Sequence, residues 1–342
     1  RMAVLRRARN SASCWLVFSV LLLAGCSTLQ PSNDRPIESA SLPGEGAQWA
    51  GLYEGAEDRL VPLNLGPEAL QWRLRALRAA TTSIDLQTFI WKDDSVGLAL
   101  VREVILAAER GVRVRILLDD SFLIHADEGL KALSSHPNIE YRIYNPGTRR
   151  LDSPMMREMA NFNDFASINH RMHNKLLVVD GRVAIIGGRN QAEEYFGYHP
   201  RHNFRDFELL LAGPFLSQLE DVFDLYWNDP WSFAIEDLVV EPIELNYASA
   251  RALVEERAPI SLRHAESTHQ DWVGLFRSGY SAQLNLVVDT PPDVKHNLEL
   301  PVQLAQALID RIDQVESDLI LVSAYFIPPP ALIAAVERAA VR

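Results

Sequence analysis

The chain reads INHRMHNKLLVVDGRVAIIGGRN over residues 168–190, and this stretch decides the predicted fold. Leu176–Val179 is an apolar run typical of a buried strand, and a second such run follows it. The Asp180-Gly181 pair between the runs is a strong signal for a tight hairpin turn. His173 and Lys175 are two residues apart, so on a strand both side chains point to one face. The stretch therefore predicts a hairpin that presents an imidazole beside an ammonium group, a pair suited to an anionic phosphodiester.

Six residues of this stretch also fit a longer pattern, H-x-K-x4-D-x6-G-[SG]-x-N. They are His173, Lys175, Asp180, Gly187, Gly188 and Asn190. From average residue usage, a chance match at these spacings is on the order of 10⁻⁶ or less per starting position. The pattern resembles the signature of the phospholipase D superfamily, although many members carry Ser where this chain has Gly188.

The resemblance covers most of the chain, from residue 60 to residue 342, and looks most like bacterial cardiolipin synthases of the C type. The stretches that carry it are Leu86–Trp91, Gly111–Asp120, Arg171–Lys175, Gly187–Asn190, Arg205-Asp206 and Ala212–Pro214. It implies two similar domains with one such motif each and a single active site between them. This sequence contains the first motif only.

Outside the motif, strand patterns alternate with helix patterns. Helices are predicted over Pro67–Ala80, Ser95–Arg110 and Glu128–Leu133, and strands over Ser83–Ile90, Val112–Leu118, Ile139–Tyr144 and Val183–Ile186. Ser95 is the expected N-cap of the second helix. The fold class expected is α/β, a phospholipase D-like domain with a mixed, mostly parallel sheet flanked by helices, plus the start of a second similar domain.

The C-terminal end of the chain repeats this beginning. Asp318–Phe326 resembles the strand Ser83–Ile90, and Ala331–Arg342 resembles the helix that ends at Arg110. A strand and a helix without the next strand cannot complete a sheet. We therefore expect the second domain to be incomplete; the alternative is a short extension that packs on the first domain. The organisation predicted is a signal peptide (1–25), a lipidated tether (26–48), a first domain (49–228), a connecting segment (229–279) and the incomplete second domain (280–342).

The first residues have the features of an export signal. Basic residues precede the apolar run Trp15–Ala24, which is too short to span a membrane but fits a signal-peptide core. Leu23-Ala24-Gly25-Cys26 resembles the lipobox of bacterial lipoproteins, which implies cleavage before Cys26 and acylation of its thiol. Acyl chains there would anchor the protein to a membrane of the cell envelope, facing the periplasm or the exterior. The alternatives are plain secretion and an uncleaved anchor.

The composition limits the classes of partner. The chain has 342 residues, with 33 Lys and Arg against 45 Asp and Glu, a formal net charge of −12 and two cysteines. This length allows about two domains, and two cysteines exclude a disulfide scaffold. The acidic balance argues against a nucleic-acid partner, which requires a basic face. No cofactor and no metal are expected, since no cluster has metal-ligand spacing.

The resemblance implies roles for the residues of the motif. His173 is the candidate nucleophile, which forms a phosphohistidine, and its alternative role is that of general acid. Lys175, Asn190 and the backbone N–H of Gly188 are expected to bind the phosphate of the substrate. Asp206 is expected to orient an imidazole through its ring N–H.

Three further aspartates each have two explanations. Asp180 matches the motif and is therefore a catalytic candidate, but its place in an Asp-Gly turn favours a structural role. Asp119 and Asp120 end a predicted strand, where ligands of open α/β folds gather. They either orient the head group of an acceptor or cap the next helix.

Several functions are compatible with these observations. The leading hypothesis is a phosphatidyltransferase that moves a phosphatidyl group from one phospholipid to phosphatidylglycerol or another alcohol, with phosphatidylethanolamine as a further substrate. Phospholipid hydrolysis uses the same intermediate with water as the acceptor. The other hypotheses are a nuclease that completes its site as a homodimer and an inactive truncated lipoprotein.

Overall fold

A computed structural model describes residues 35–40, 43–44, 46–52, 57–120, 127–147, 171–263, 272–291, 303–321 and 328–342, together with Leu29 and Ser32. For residues 260, 263 and 303 it describes the backbone alone. Within these ranges, no helix has the length and apolar character needed to cross a membrane.

A nine-stranded sheet is the centre of the described part of the chain. Its strands are β1 (Arg59–Leu63), β2 (Ser83–Thr88), β3 (Arg113–Asp119), β4 (Ile139–Tyr144), β5 (Leu176–Val179), β6 (Val183–Gly187), β7 (Glu208–Ala212), β8 (Ser232–Ala234) and β9 (Tyr280–Ser281). Their order across the sheet is β8-β4-β3-β2-β5-β6-β7-β1-β9. The strands predicted between residues 83 and 186 are all present within this sheet, with ends that match or shift by one or two residues.

The sheet is mixed, as predicted, but most of its strand pairs are antiparallel. β3 pairs in parallel with β2 and with β4, whereas the other neighbouring pairs are antiparallel. The prediction of a mostly parallel sheet is therefore wrong. Helical crossovers, which parallel pairing requires, connect β2 to β3 and β3 to β4, whereas β5 returns to β6 through a hairpin.

Helices cover both faces of the sheet. They are α1 (Gly66–Ala79), α2 (Ser95–Glu109), α3 (Asp127–Ser134), α4 (Glu193–Phe196), α5 (Leu216–Trp227), α6 (Ile235–Leu238), α7 (Tyr247–Arg257), α8 (Ile260–Arg263), α9 (Trp272–Ser278), α10 (Gln303–Asp313) and α11 (Pro330–Ala340). α1 and α2 contribute Leu74 and Leu100 to the larger hydrophobic cluster on one face. α5 contributes Phe223 and Trp227 to the cluster on the other face. β5 and most of β6 are continuous apolar runs because both of their faces are buried. β2 instead buries polar side chains, among them Asp85, which pairs with Arg115 of β3 at 2.6 Å.

Two local predictions can be compared with the observed geometry. The turn between β5 and β6 falls at Asp180 and Gly181, which have φ angles of 54° and 59°, as a type I′ hairpin turn requires. The N-cap of α2 is Asp94 rather than the predicted Ser95. The carboxylate of Asp94 accepts hydrogen bonds from Val96 N at 3.1 Å and from Gly97 N at 2.9 Å, and so satisfies two free N–H groups of the first turn.

The described part of the predicted tether is docked on the domain. Ser32 N donates to the carbonyl of Pro230 at 2.9 Å. Glu38 N donates to Asn228 Oδ1 at 2.9 Å, and Asn228 Nδ2 donates back to the carbonyl of Glu38 at 2.6 Å. These contacts bind the described residues of the predicted tether (26–48) to the domain. The polar composition of this stretch concealed a segment that binds through backbone and side-chain hydrogen bonds rather than through apolar burial.

The chain beyond residue 228 extends the same sheet at both edges. β8, in the predicted connecting segment, pairs with β4, and β9, at the start of the predicted second domain, pairs with β1. α10 and α11 pack on each other through Ile312, Leu332 and Ala335. Residues 318–321 form no strand, and the rest of the strand predicted over Asp318–Phe326 lies outside the described residues. The domain boundaries stay predictions.

Candidate active site

The loops that carry the motif residues other than Asp180 meet at one end of the strands of the sheet. Gln87, near the end of β2, is paired with Leu176 at the start of β5. Glu208, at the start of β7, is paired with Gly187 at the end of β6 and with Leu63 at the end of β1. These registers bring the carboxyl ends of β1 to β4 and β6 beside the amino ends of β5 and β7. We call this row of strand ends, which is distinct from the edge strands β8 and β9, the motif edge.

His173 and Lys175 lie side by side at the motif edge, although the local backbone is not the one predicted. Residues 171–175 precede β5 and form no strand. The imidazole of His173 stacks on the ring of Phe89 with 4.1 Å between the ring centroids, and Lys175 Nζ lies 5.5 Å from the centroid of the same ring. Lys175 Nζ also donates to the carbonyl of His173 at 2.5 Å. Both predicted side chains therefore face one aromatic residue that the sequence did not single out.

The ammonium group of Lys175 is partly withdrawn from water. Burial lowers the pKa of Lys175 to about 8 because it disfavours the charged form, and the negative charges of Asp206 and Asp119 oppose this shift. Lys175 therefore titrates near the upper end of the physiological pH range. Below that pH it supplies a cation with few competing partners, which is the property needed to bind a phosphate.

Asp119 holds the loop that carries His173. It is buried at the end of β3, and its Oδ2 accepts a hydrogen bond from Met172 N at 2.9 Å. Arg171 Nη1 lies 3.5 Å from Asp119 Oδ1 and donates to the carbonyl of Asn145 at 3.3 Å. Asp119 thus binds the motif loop, a role different from both of those expected from sequence. Asp120 accepts from Gly147 N at 2.9 Å.

Gly188 fits closely against Asp206. A Cβ atom at Gly188 would lie 2.2 Å from Asp206 Oδ1, so a larger residue here would require the carboxylate to move. The backbone N–H of Gly188 donates to the carbonyl of Phe207 at 3.2 Å. This hydrogen bond joins the loops that end β6 and begin β7, and the contact of the N–H with a phosphate stays a prediction.

Asp206 and the imidazole of His173 are not hydrogen-bonded to each other in the described structure. Asp206 Oδ1 accepts from Phe207 N at 2.7 Å, and the ring Nδ1 of His173 lies 3.3 Å from the carbonyl oxygen of Arg171. The expected orientation of an imidazole by Asp206 is thus not found for His173. The carboxylate acts instead on Lys175, whose pKa it raises.

Asn190 has one side of its amide fixed and the other side available. The residue is buried, and its Oδ1 accepts from Ile90 N at 3.0 Å. Its Nδ2 has no hydrogen-bond partner among the described residues. An amide held in this way presents its donor, which is the group expected to contact the phosphate.

Asp180 lies at the opposite end of β5 from the other motif residues. Its buried carboxylate accepts hydrogen bonds from Trp49 Nε1 at 2.8 Å, from Thr82 N at 2.8 Å and from Ser83 N at 2.9 Å. Thr81 adds two donors, its backbone N and its Oγ1. At about 3.3 Å per residue, the strand separates Asp180 from Lys175 by roughly 16 Å. Asp180 therefore does not share a site with His173, and its contacts are structural.

A buried ion network under the motif edge was missed by the sequence analysis. Arg73 and Glu208 form a two-pronged pair, with Nη1 to Oε2 at 2.6 Å, and Arg189 Nη1 lies 3.4 Å from the same Oε2. Arg189 also donates to the carbonyls of Asn64 at 3.0 Å and Asp206 at 2.5 Å, so it fixes the backbone on which Asp206 stands. The only signal in the sequence was the Arg between the glycines and Asn190, which suggested no role by itself.

Other predicted features are outside the reach of the structure. Cys26 and the residues around it lie outside the described ranges. Within those ranges, no group of three or more His, Cys, Asp or Glu side chains is arranged to hold a metal ion.

The sequence of the chain is similar to those of known proteins. Residues 74–227 match the family model described as "Cardiolipin synthase, PLD-like domain". The chain is 32% identical over 291 residues to cardiolipin synthase C of Escherichia coli K12, a match that covers 82% of this chain and 59% of that protein. It is 34% identical over 277 residues to an uncharacterized protein of Helicobacter pylori strain 26695, covering 78% and 54% respectively. The chain thus spans little more than half the length of these curated relatives.

One solved structure is similar over most of the described chain. The phosphatidylserine synthase of Haemophilus influenzae matches with a TM-score of 0.53 at 14% identity, covering 83% of this chain and 59% of that one. At this identity the similarity shows the fold alone.

Proposed function

Because the chain contains a phospholipase D-like domain of the cardiolipin synthase family, we propose that it is a phosphatidyltransferase acting on phospholipids. The donor would be a phospholipid such as phosphatidylglycerol or phosphatidylethanolamine, and the acceptor a second phosphatidylglycerol or another alcohol. The observation that carries the proposal is the pairing of an exposed imidazole, His173, with the ammonium of Lys175 on one aromatic ring. No cofactor is needed for this chemistry.

The tautomer of His173 with the proton on Nδ1 would suit the role of nucleophile. With Nδ1 protonated and directed to the carbonyl of Arg171, 3.3 Å away, the lone pair is on Nε2. Nε2 would attack phosphorus while the bond from phosphorus to the head-group oxygen breaks. That oxygen takes a proton from a second imidazole and leaves as an alcohol. The phosphatidyl group then remains on His173.

The second step returns the enzyme to its starting state. The acceptor alcohol gives its proton to the second imidazole, its oxygen bonds to phosphorus, and the bond from phosphorus to Nε2 breaks. Lys175 and the free Nδ2 of Asn190 would stabilise the charge on the non-bridging oxygens in both steps. The second imidazole has to come from elsewhere than His173, either from a second motif or from a second copy of the chain.

The test is a lipid assay with matched histidine variants. Vesicles that contain fluorescent phosphatidylglycerol are incubated with the protein, and cardiolipin and phosphatidic acid are separated and measured. We expect His173→Gln to abolish both products. His136→Gln is the control, because His136 precedes β4 at the opposite edge of the sheet and its Nδ1 accepts from Asn138 N at 3.2 Å. Equal activity of the two variants would refute the assignment.

The same assay separates the alternative outcomes. Phosphatidic acid without cardiolipin would assign hydrolysis, in which water is the acceptor. A specific activity that rises with protein concentration would assign a homodimer in which two copies of His173 complete one site. No product at any concentration would leave the chain inactive by itself.

Membrane attachment through Cys26 belongs to the same proposal. An acyl anchor would keep the enzyme at the surface that holds its substrates. Labelling cells with a radioactive fatty acid tests it: the wild-type protein is expected to incorporate label, and Cys26→Ser is expected to incorporate none. Equal labelling of both would refute the anchor without affecting the assignment of His173.

A further inference from the structure

We propose that a patch at the motif edge docks on an anionic phospholipid surface and presents its head groups to His173. The patch consists of Leu65, Tyr198, Arg201, Arg205 and Phe207, and we call it the docking patch. The inference deepens the proposed function, on which it rests for the identity of the lipid. It is independent of any anchor at Cys26.

Two of the apolar residues are neighbours across β1 and β7. Arg189 Nη2 donates to the carbonyl of Asn64 at 3.0 Å and to the carbonyl of Asp206 at 2.5 Å. Because one nitrogen holds both carbonyls, the next residues, Leu65 and Phe207, lie close to each other at the motif edge, where β1 ends and β7 begins. The exposed fraction is 67% for Leu65 and 50% for Phe207.

Tyr198 joins this pair from the loop after α4. A Cβ atom at Gly197 would lie 3.5 Å from Cδ of Pro67, so this loop runs against the first turn of α1, beside Leu65. Tyr198 is 38% exposed. Single exposed apolar side chains are normal on proteins. Three on neighbouring segments at the edge of a candidate site offer a surface on which lipid can rest.

The same loop carries two arginines without partners. Neither Arg201 nor Arg205 has an ion pair or a side-chain hydrogen bond among the described residues, whereas Lys92, at the same edge, is paired with Glu194. Residues 197–205 contain no acidic side chain, in a chain of net charge −12. The carboxylate of Asp206, the next residue, is directed at Gly188. The loop therefore carries local positive charge, which is available to bind an anionic partner.

The loop is held in one shape by hydrogen bonds. His199 N donates to Asn203 Oδ1 at 3.1 Å, and Asn203 Nδ2 donates to the carbonyl of His199 at 2.8 Å. Phe204 N donates to the carbonyl of Glu194 at 2.8 Å. Because the backbone is fixed, the arginines keep their place beside the apolar residues.

Aromatic and aliphatic residues next to cations are the composition that binds proteins to membrane interfaces. Basic residues near the surface respond to anionic lipids, and apolar residues respond to any bilayer. The docking patch has both. Since Arg205 precedes Asp206, whose charge acts on Lys175, a bilayer on this patch would lie at the entrance to the candidate site.

The experiment measures binding of the full chain to vesicles of phosphatidylcholine alone and of phosphatidylcholine mixed with phosphatidylglycerol, at low salt. An anchor or leader contributes equally to both, so the ratio of the two partition constants reports the patch. We expect Arg201→Gln and Arg205→Gln each to lower the ratio about fivefold, and the double variant about 25-fold. Leu65→Ser is expected to weaken binding to both vesicles and leave the ratio unchanged. Arg277→Gln is the control and should change neither, because Arg277 is also exposed and has no ion pair within the described part of the chain.

The proposal is overturned if the double arginine variant keeps the wild-type ratio or behaves like the control. It is also overturned if the double variant changes the oligomeric state measured by light scattering, because the patch would then be covered by a second copy of the chain. Cleavage of a water-soluble short-chain phosphodiester is measured in parallel. Absence of that activity in wild type would count against the proposed function, whereas the vesicle ratio decides the docking patch separately.

Discussion

Asp180→Asn is the change that best separates structure from chemistry within the motif. Asparagine tolerates the φ angle of 54° at this position, so the substitution tests the carboxylate rather than the backbone. It replaces one oxygen by an NH₂ group that faces other donors. Trp49 Nε1 and Thr81 Oγ1 then lose their acceptor, Oδ2, whereas Thr81 N keeps Oδ1 at 3.1 Å. The remaining hydrogen bonds lose their charge.

The expected effect is on stability and not on turnover. A buried donor left without a partner costs about 1–3 kcal/mol, so the loss for the indole N–H and the weakened contacts together is about 3 kcal/mol. For a domain of this size that corresponds to a fall in Tm of roughly 6–12 °C. The kcat of the folded protein at low temperature should stay within about twofold of wild type, because the strand separates Asp180 from Lys175 by roughly 16 Å.

Differential scanning calorimetry and the lipid assay on the same preparations measure both quantities. His173→Gln is the opposite case: it should abolish activity while its Tm changes little, because the side chain is exposed. If Asp180→Asn does not fold, Thr81→Val removes one hydroxyl donor from the cluster and should cost about 1 kcal/mol. An Asp180→Asn protein with wild-type Tm and strongly reduced activity would refute the reasoning.

Three further predictions concern the motif edge. Gly188→Ser should displace the carboxylate of Asp206 and lower activity at least tenfold. If the clash is the cause, the double variant with Asp206→Ala should recover part of this loss. Equal losses in the single and double variants would exclude the clash as the cause. KM for the lipid should rise as pH increases through about 8, because Lys175 is cationic below its pKa and neutral above it; a KM that stays flat to pH 9 would contradict this. Phe89→Leu should raise KM more than it lowers kcat, since it removes the ring on which His173 stacks but no reacting atom.

The parts of the fold that depend on neighbouring residues could be predicted from the sequence. The hairpin from β5 to β6 follows from two apolar runs and an Asp-Gly pair, all within a dozen residues. The direction of strand pairing could not be predicted in the same way. β5 pairs with β2, about ninety residues away, and no local pattern indicates that this pairing is antiparallel.

In the candidate site, too, local features could be predicted from the sequence and long-range contacts could not. His173 and Lys175 were identified by their spacing, and the structure places them on one ring. The closeness of Gly188 and Asp206 arises from the pairing of Gly187 with Glu208, which only the assembled sheet provides. Arg189 was missed because a buried arginine is recognised by the carbonyls that surround it, and those come from distant parts of the chain.

The docked N-terminal segment limits how far the domain can move from a point of attachment. Ser32 N donates to the carbonyl of Pro230, and the carbonyl of the residue after Pro230 accepts from Asn145 N at 2.9 Å. The carbonyl of Asn145 in turn accepts from Arg171, in the motif loop. An acyl group on Cys26 would be six residues from Ser32, at most about 20 Å of extended chain. Such an anchor would hold Ser32, and with it the motif edge, within about 20 Å of the bilayer. The domain would therefore sample orientations in which that edge stays near the membrane.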